Sequence, residues 1–70
     1  MSLDEIRSYR NAQPFAPFEL QLKDGRIIRV MRPERIALAP WGQLGIFENS
    51  IPHLPHVDDV VAVRVLASAA

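Results

Sequence analysis

Apolar residues alternate with polar ones on both sides of Lys23-Asp24-Gly25, and this alternation selects one hairpin from the two that the turn allows. A two-residue Asp-Gly turn sets Leu20 against Arg29 and Phe18 against Met31, which mixes charge into the apolar face. A three-residue loop, a type I turn closed by Gly25 in a left-handed bulge, pairs Leu20 with Ile28 and Phe18 with Val30. A slip of one residue inverts every side chain, so the pattern predicts the bulged loop and requires a positive φ at Gly25. The opposite face then carries Gln21 across from Ile27 and Glu19 across from Arg29, a charge pair worth about 0.2–1 kcal/mol.

Upstream, residues 2–12 read as a short helix. Ser2 is placed as N-cap, Glu5 completes a capping box, and Met1 and Ile6 occupy the positions of a hydrophobic staple. Asp4 and Glu5 sit at the positive end of the helix dipole, with Arg7 and Arg10 toward the negative end. Leu3, Ile6 and Tyr9 recur at helical spacing, so one face must dock, because an isolated helix this short is marginal in water. Asn11 and Pro14 stop it.

Downstream the apolar runs are short and interrupted. Pro33 marks a bend, a bulge or an edge, and the pieces on either side of it read as one long, sharply bent second strand. Ile36 and Leu38 lead to a turn at Pro40-Trp41-Gly42, and Leu44 to Phe47 is a further apolar segment. Asn49-Ser50 turns the chain into Ile51-Pro52-His53-Leu54-Pro55-His56, where two prolines exclude a regular helix. Val57-Asp58-Asp59 reads as a tight turn before a last strand, Val60 to Leu66. There Val61, Val63 and Val65 share one face and Ala62, Arg64 and Leu66 the other, and the Ala-Ser-Ala-Ala tail is expected to fray. The whole predicts a single domain over 1–70, mainly β with one N-terminal α-helix, a small SH3-like barrel of five strands spanning 15–66.

Composition changes that picture in one respect. A chain of 70 residues buries only about 60% of the surface it exposes when unfolded. Half of these residues are hydrophobic and none is cysteine, so oligomerisation is the natural supplement. The last strand is apolar on both faces, which points to a homo-oligomer interface at Val60, Ala62, Arg64 and Leu66. The absence of cysteine and of an apolar run of membrane-spanning length, with no basic segment leading into an apolar one at the N-terminus, predicts a soluble, cytoplasmic protein without membrane contact.

Eight basic and eight acidic residues cancel, so no overall field attracts nucleic acid. The distribution is uneven: Lys23, Arg26, Arg29, Arg32 and Arg35 face only Asp24 and Glu34 within positions 23–35. Solvated outer faces of strands account for such charges, and a modest basic patch is the alternative. His53 and His56 have a spacing that suits zinc on a helix, but the prolines impose an extended chain that throws the rings to opposite faces, and no third ligand follows. Asp58-Asp59 reads as a turn former. No nucleophile-base constellation and no phosphate-cradling glycine loop are present, so neither an enzyme nor a cofactor or small-molecule substrate is expected. Trp41, Phe47 and Tyr9 are the residues able to stack on bases, with Phe47 assigned to the core and Trp41 to a turn, where it folds back or meets a partner.

The phrase Pro-Phe-x-Pro-Phe, Leu-x-Asp-Gly-Arg, then Pro-Glu before Ala-Leu-x-Pro-x-Gly, from Pro14 to Gly42, resembles a group of short, mostly uncharacterised bacterial proteins. More distantly, the short helix, the strand ending Leu-Lys-Asp-Gly-Arg, the bent second strand and the closing strand pair resemble the Sm-like family, which includes the bacterial RNA chaperone Hfq. That resemblance implies a ring built by pairing strands of adjacent subunits and binding of single-stranded RNA. It assigns RNA contact to Arg7 and Arg10 on the helix, to Arg35, and to His56, which falls where Hfq carries a pore histidine. The segment 33–38 lacks the Asn or Gln that reads bases in such rings, and Pro55 stands where a lysine precedes the histidine. Two readings follow: a non-catalytic β-barrel module acting through homo-oligomeric assembly and protein contact, and an Sm-like ring that binds single-stranded RNA.

Overall fold

In the computed structural model, which describes residues 1–66, β1 (Phe18–Leu22) and β2 (Ile27–Val30) pair in the register that the alternation selects. Phe18 faces Val30, Glu19 Arg29, Leu20 Ile28 and Gln21 Ile27. Gly25 has φ +90°, and its N–H donates to the Leu22 carbonyl at 3.0 Å, closing the type I turn as expected. Ahead of this hairpin lies helix α1 (Leu3–Arg10), whose capping box is complete: Glu5 N–H donates to Ser2 Oγ and Ser2 N–H to Glu5 Oε1, both at 3.1 Å. Ile6 is fully buried, and the Tyr9 ring lies 5.6 Å from that of Phe18, so the sticky face of the helix docks on β1.

Six strands are present among the described residues, where five were expected. Beyond β2 come β3 (Ile36–Leu38), β4 (Leu44–Glu48), β5 (Ile51–His53) and β6 (Val60–Val65), arranged as two antiparallel three-stranded sheets in the orders β2-β1-β6 and β3-β4-β5. The bent second strand does not form. Pro33 instead opens a 3-10 turn, Pro33–Arg35, that ends β2 and delivers the chain into the second sheet. A fixed φ and a missing N–H suit proline to a first helical position and unsuit it to a ladder. The two sheets therefore do not close into a barrel by hydrogen bonding.

One core joins them. Ile6, Phe18, Leu20, Leu22, Ile28, Val30, Ile36, Leu44, Ile46, Val57 and Val60 form a single buried cluster, with Leu3, Tyr9, Phe15, Leu38 and Val63 packed against it. Phe47, expected in the core, is instead 54% exposed on β4. The two-residue turn Asn49-Ser50 has positive φ at both positions, 51° and 68°, the geometry that matches the twist of a tight hairpin.

Two differences from the sequence reading come from β1 having a neighbour on each side. Glu19 lies opposite Arg64 as well as Arg29, and its carboxylate pairs with Arg64, Nε to Oε1 at 2.8 Å, while Arg29 turns to a cleft on the other side. On β6 the even alternation is interrupted, because the register shifts between Gln21 and Leu22, so that Leu22 meets Val60 and Gln21 meets Ala62. Val61 is the extra residue of this bulge. Leu66, just past β6, still donates its N–H to the Pro17 carbonyl at 2.8 Å. The tail at 67–70 lies outside the described residues.

Replacing Gly25 by valine is expected to cost more than about 1 kcal/mol from backbone strain alone, since a Cβ there would meet nothing within 4 Å. Lys23→Ala should change stability by less than about 0.5 kcal/mol, and denaturant midpoints compare the two. Equal costs would mean that the left-handed turn is not what holds the register.

Acid should weaken two local anchors. The Ser2 N–H bound to Glu5 holds that carboxyl below its ordinary 4.5, and the Arg26 N–H, donating to Asp24 at 3.0 Å, holds Asp24 below its ordinary 3.8. A carboxyl lowered in the folded state contributes stability above its ordinary value and loses it as the pH falls through the lowered one. Urea midpoints should therefore decline from about pH 5 toward about pH 2, with a shallower decline in Glu5→Gln combined with Asp24→Asn. An unchanged pH slope in that double variant would remove these two carboxyls as the source.

Candidate functional site

Where the two sheets meet, a side chain stands in for the ladder. The free N–H of Arg29, on the outer edge of β2, donates to Glu48 Oε2 at 3.2 Å, and His53 Nε2 lies 3.6 Å from Glu48 Oε1. This seam opens at the surface into a cleft of about 400 Å³. The chain from β2 through the Pro33 turn contributes Arg29, Met31, Arg32 and Arg35, and the β4–β5 hairpin contributes Phe47, Glu48, Asn49 and Ser50. The local chemistry of each wall follows from the fold: Ile28 and Val30 point into the core, so Arg29 between them points out, and Leu44 and Ile46 do the same for Phe47.

The charges in the cleft do not cancel. Glu48 is engaged with the Arg29 backbone and His53, and Arg32 reaches Glu34 only at 3.9 Å. Among the described residues no carboxylate lies within 4.0 Å of the Arg29 or Arg35 guanidinium. The cleft thus presents three guanidinium-bearing side chains and a half-exposed phenyl ring, in a protein whose overall charge is zero.

Of the four residues assigned to RNA contact, Arg35 lines this cleft and Arg7, Arg10 and His56 do not. Arg7 pairs with Asp4 at 2.6 Å, and Arg10 Nε donates to Asn11 Oδ1 at 3.1 Å, both on the exposed surface of α1. His56 is tied into the fold by its ring and its backbone. It caps the 3-10 turn Val57–Asp59, its Nδ1 accepting from the Asp58 N–H at 3.1 Å, while Nε2 lies 3.0 Å from the Trp41 carbonyl oxygen. Asp59, read as a turn former, returns the contact by accepting from the His56 N–H at 3.1 Å. Gly42 makes this packing possible: at φ +96°, a Cβ there would lie 2.7 Å from the imidazole and 3.0 Å from Val57.

His53 and His56 go separate ways, to Glu48 and to the Trp41 turn, and among the described residues no group of three or more His, Asp or Glu could hold a metal. The Trp41 side chain projects outward at 75% exposure, as does Leu54. On β6, Val60 is core, Ala62 is half-buried, Arg64 holds Glu19, and the exposed apolar surface lies at Val61 and Val65, while Leu66, just past the strand, is half-buried. Among the described residues no helix is long and apolar enough to cross a membrane. No family model, curated protein or solved structure matches the chain.

Sequence reasoning named Arg32 only as a member of a charge run and Arg29 as that and as the cross-strand partner of Glu19, and it missed Phe47, Asn49 and Ser50 as their neighbours. The available signal was the run itself, one arginine every three residues from 26 to 35 with an unmatched charge excess.

Gly42→Ala should destabilise by roughly 2 kcal/mol or more, because strain and overlap with His56 act together. Removing the imidazole should relieve part of that cost, so Gly42→Ala with His56→Ala is expected to fall short of the sum of the single changes in a denaturant double-mutant cycle. Strict additivity would show that the two residues are not in contact.

Proposed function

We propose that this chain is a non-catalytic β module that works by joining a second copy of itself along β6, in an open barrel of SH3-like or Sm-like type. The observation that carries the reading is the state of the four sheet edges. The Arg29 N–H of β2 is taken up by Glu48, β3 is three residues long with α1 against it, and β5 carries Pro52, which has no N–H to offer. Strand β6 is six residues long, has neither a proline nor a covering element, and leaves Val61 and Val65 58% and 50% exposed. Long, uncovered apolar edges pair with another strand unless something prevents it.

The geometry favours a two-fold pair. Because Leu66 N–H points to Pro17, alternation directs the N–H groups of Val65 and Val63 away from β1. An antiparallel pair centred on Val63 would set Val61 against Val65 of the second copy and Ala62 against its Arg64, with no like charges opposed. The small-barrel reading is supported by the path of the chain: a 3-10 turn precedes the last strand, and that strand returns to β1. The route to RNA through a pore histidine lacks comparable support, since both ring nitrogens of His56 are engaged.

Light scattering at micromolar and higher concentration tests the proposal, with a mass of at least twice 7.9 kDa expected. Val61→Lys with Val65→Lys, both at exposed positions, should reduce it to a monomer with the fold intact by circular dichroism. A monomeric mass for the unaltered chain at every concentration would overturn the reading.

A further inference from the structure

The cleft at the sheet seam has no part in that assembly, since none of its lining residues belongs to β6. Its volume of about 400 Å³ falls toward the lower end of the range of small-ligand sites. Guanidinium groups offer a planar fork of donors that matches phosphate oxygens two at a time, and they stay charged at any ordinary pH. Arg29, Arg32 and Arg35 all line this cleft, two of them without a carboxylate partner among the described residues. A site for a bare anion would need nothing more. This one also has an apolar wall, Phe47 and Met31, each 54% exposed, so the ring is free to take a flat partner.

We propose that this cleft binds a nucleotide unit, with its phosphate held by the guanidinium groups of Arg29, Arg32 and Arg35 and its base laid against Phe47. Base-to-aromatic stacking tolerates every base, so the site selects for a phosphorylated nucleoside without reading its identity. Glu48 lines the same cleft and works against a highly charged anion, which favours one phosphate diester or monoester over a polyphosphate chain. The unit comes either from a free mononucleotide or from a single strand, and the two sources share this chemistry.

The test titrates the full chain at low and at physiological salt with AMP, UMP, inorganic phosphate, fluorescent oligo-A and oligo-U, and an acidic phosphopeptide. Saturable binding of nucleotides that weakens with salt is expected. Equal affinity per site for mononucleotide and strand would identify the free nucleotide as the source, and tighter strand binding the polymer; either supports the site. Arg29→Ala and Arg35→Ala should each weaken nucleotide binding about tenfold, since each removes a charge-assisted contact. Phe47→Leu should weaken nucleotides at least about fivefold and leave inorganic phosphate unchanged, because only stacking is lost. Unchanged circular dichroism and thermal midpoints keep these variants interpretable, since all three positions are exposed. The proposal is overturned by no nucleotide binding at millimolar concentration, by variants that bind like the unaltered chain, or by a phosphopeptide or inorganic phosphate that binds as well as nucleotides do. Because the readout does not depend on oligomeric mass, its failure is separate from failure of the assembly along β6.

Discussion

The fold depends on the registers of β1 with its two neighbours. Phe18, Leu20 and Leu22 supply the middle of the core, and Glu19 is buried at 2% exposure between them on the opposite face. A buried carboxylate left without a partner costs about 1–3 kcal/mol or more, so any slip of β6 that removes Arg64 is penalised beyond the loss of apolar packing. The pair itself contributes little net stability, because the Arg64 side chain is 68% exposed and its attraction is screened. Its effect is on specificity: one alignment of β1 and β6 satisfies both faces of the strand at once.

Pro33 has the second-largest consequence. Had the chain continued as a strand, β2 would have run into β3 and the sheets would have shared a ladder. The 3-10 turn breaks that continuity, and the seam is held by the core and by Glu48 reaching across to the Arg29 N–H. On one continuous strand Arg32 would face away from Arg29 and Arg35; here all three line a concave surface opposite the β4–β5 hairpin. The break in the sheet and the presence of the cleft have the same cause.

What was legible in the sequence is what short-range chemistry decides. The α1 capping box, the Gly25 turn, all four residue pairs of the β1–β2 hairpin and the turn at Asn49-Ser50 are read from residues a few positions apart. The partner of Glu19 was not legible, because choosing Arg64 over Arg29 requires knowing that β6 returns to the other side of β1. The bulge at Val61 redistributes the faces of β6, and no glycine or proline announces it. His56 carries no sequence mark of its contact with the Trp41 carbonyl, and Gly42 reads as an ordinary turn glycine until the imidazole beside it is seen. The candidate cleft joins residues 29–35 to residues 47–50 across the seam, and only the arginine half of it left a trace in the pattern.

The two proposed surfaces lie at opposite edges of one sheet, since the order β2-β1-β6 puts the cleft beyond β2 and the open strand at the far side. Pairing along β6 would then extend that sheet to six strands across a two-fold axis, with one cleft at each outer end. Five inter-strand spacings separate the two β2 strands, about 24 Å before twist is considered. A single strand able to span that distance would meet both clefts, and the second contact would occur at the high effective concentration set by the first. A free mononucleotide gains nothing from the pairing. The assembly and the cleft are thus independent in structure, yet polymer length alone would couple them, which is how a neutral protein with one modest basic cleft per chain could distinguish a strand from its monomers.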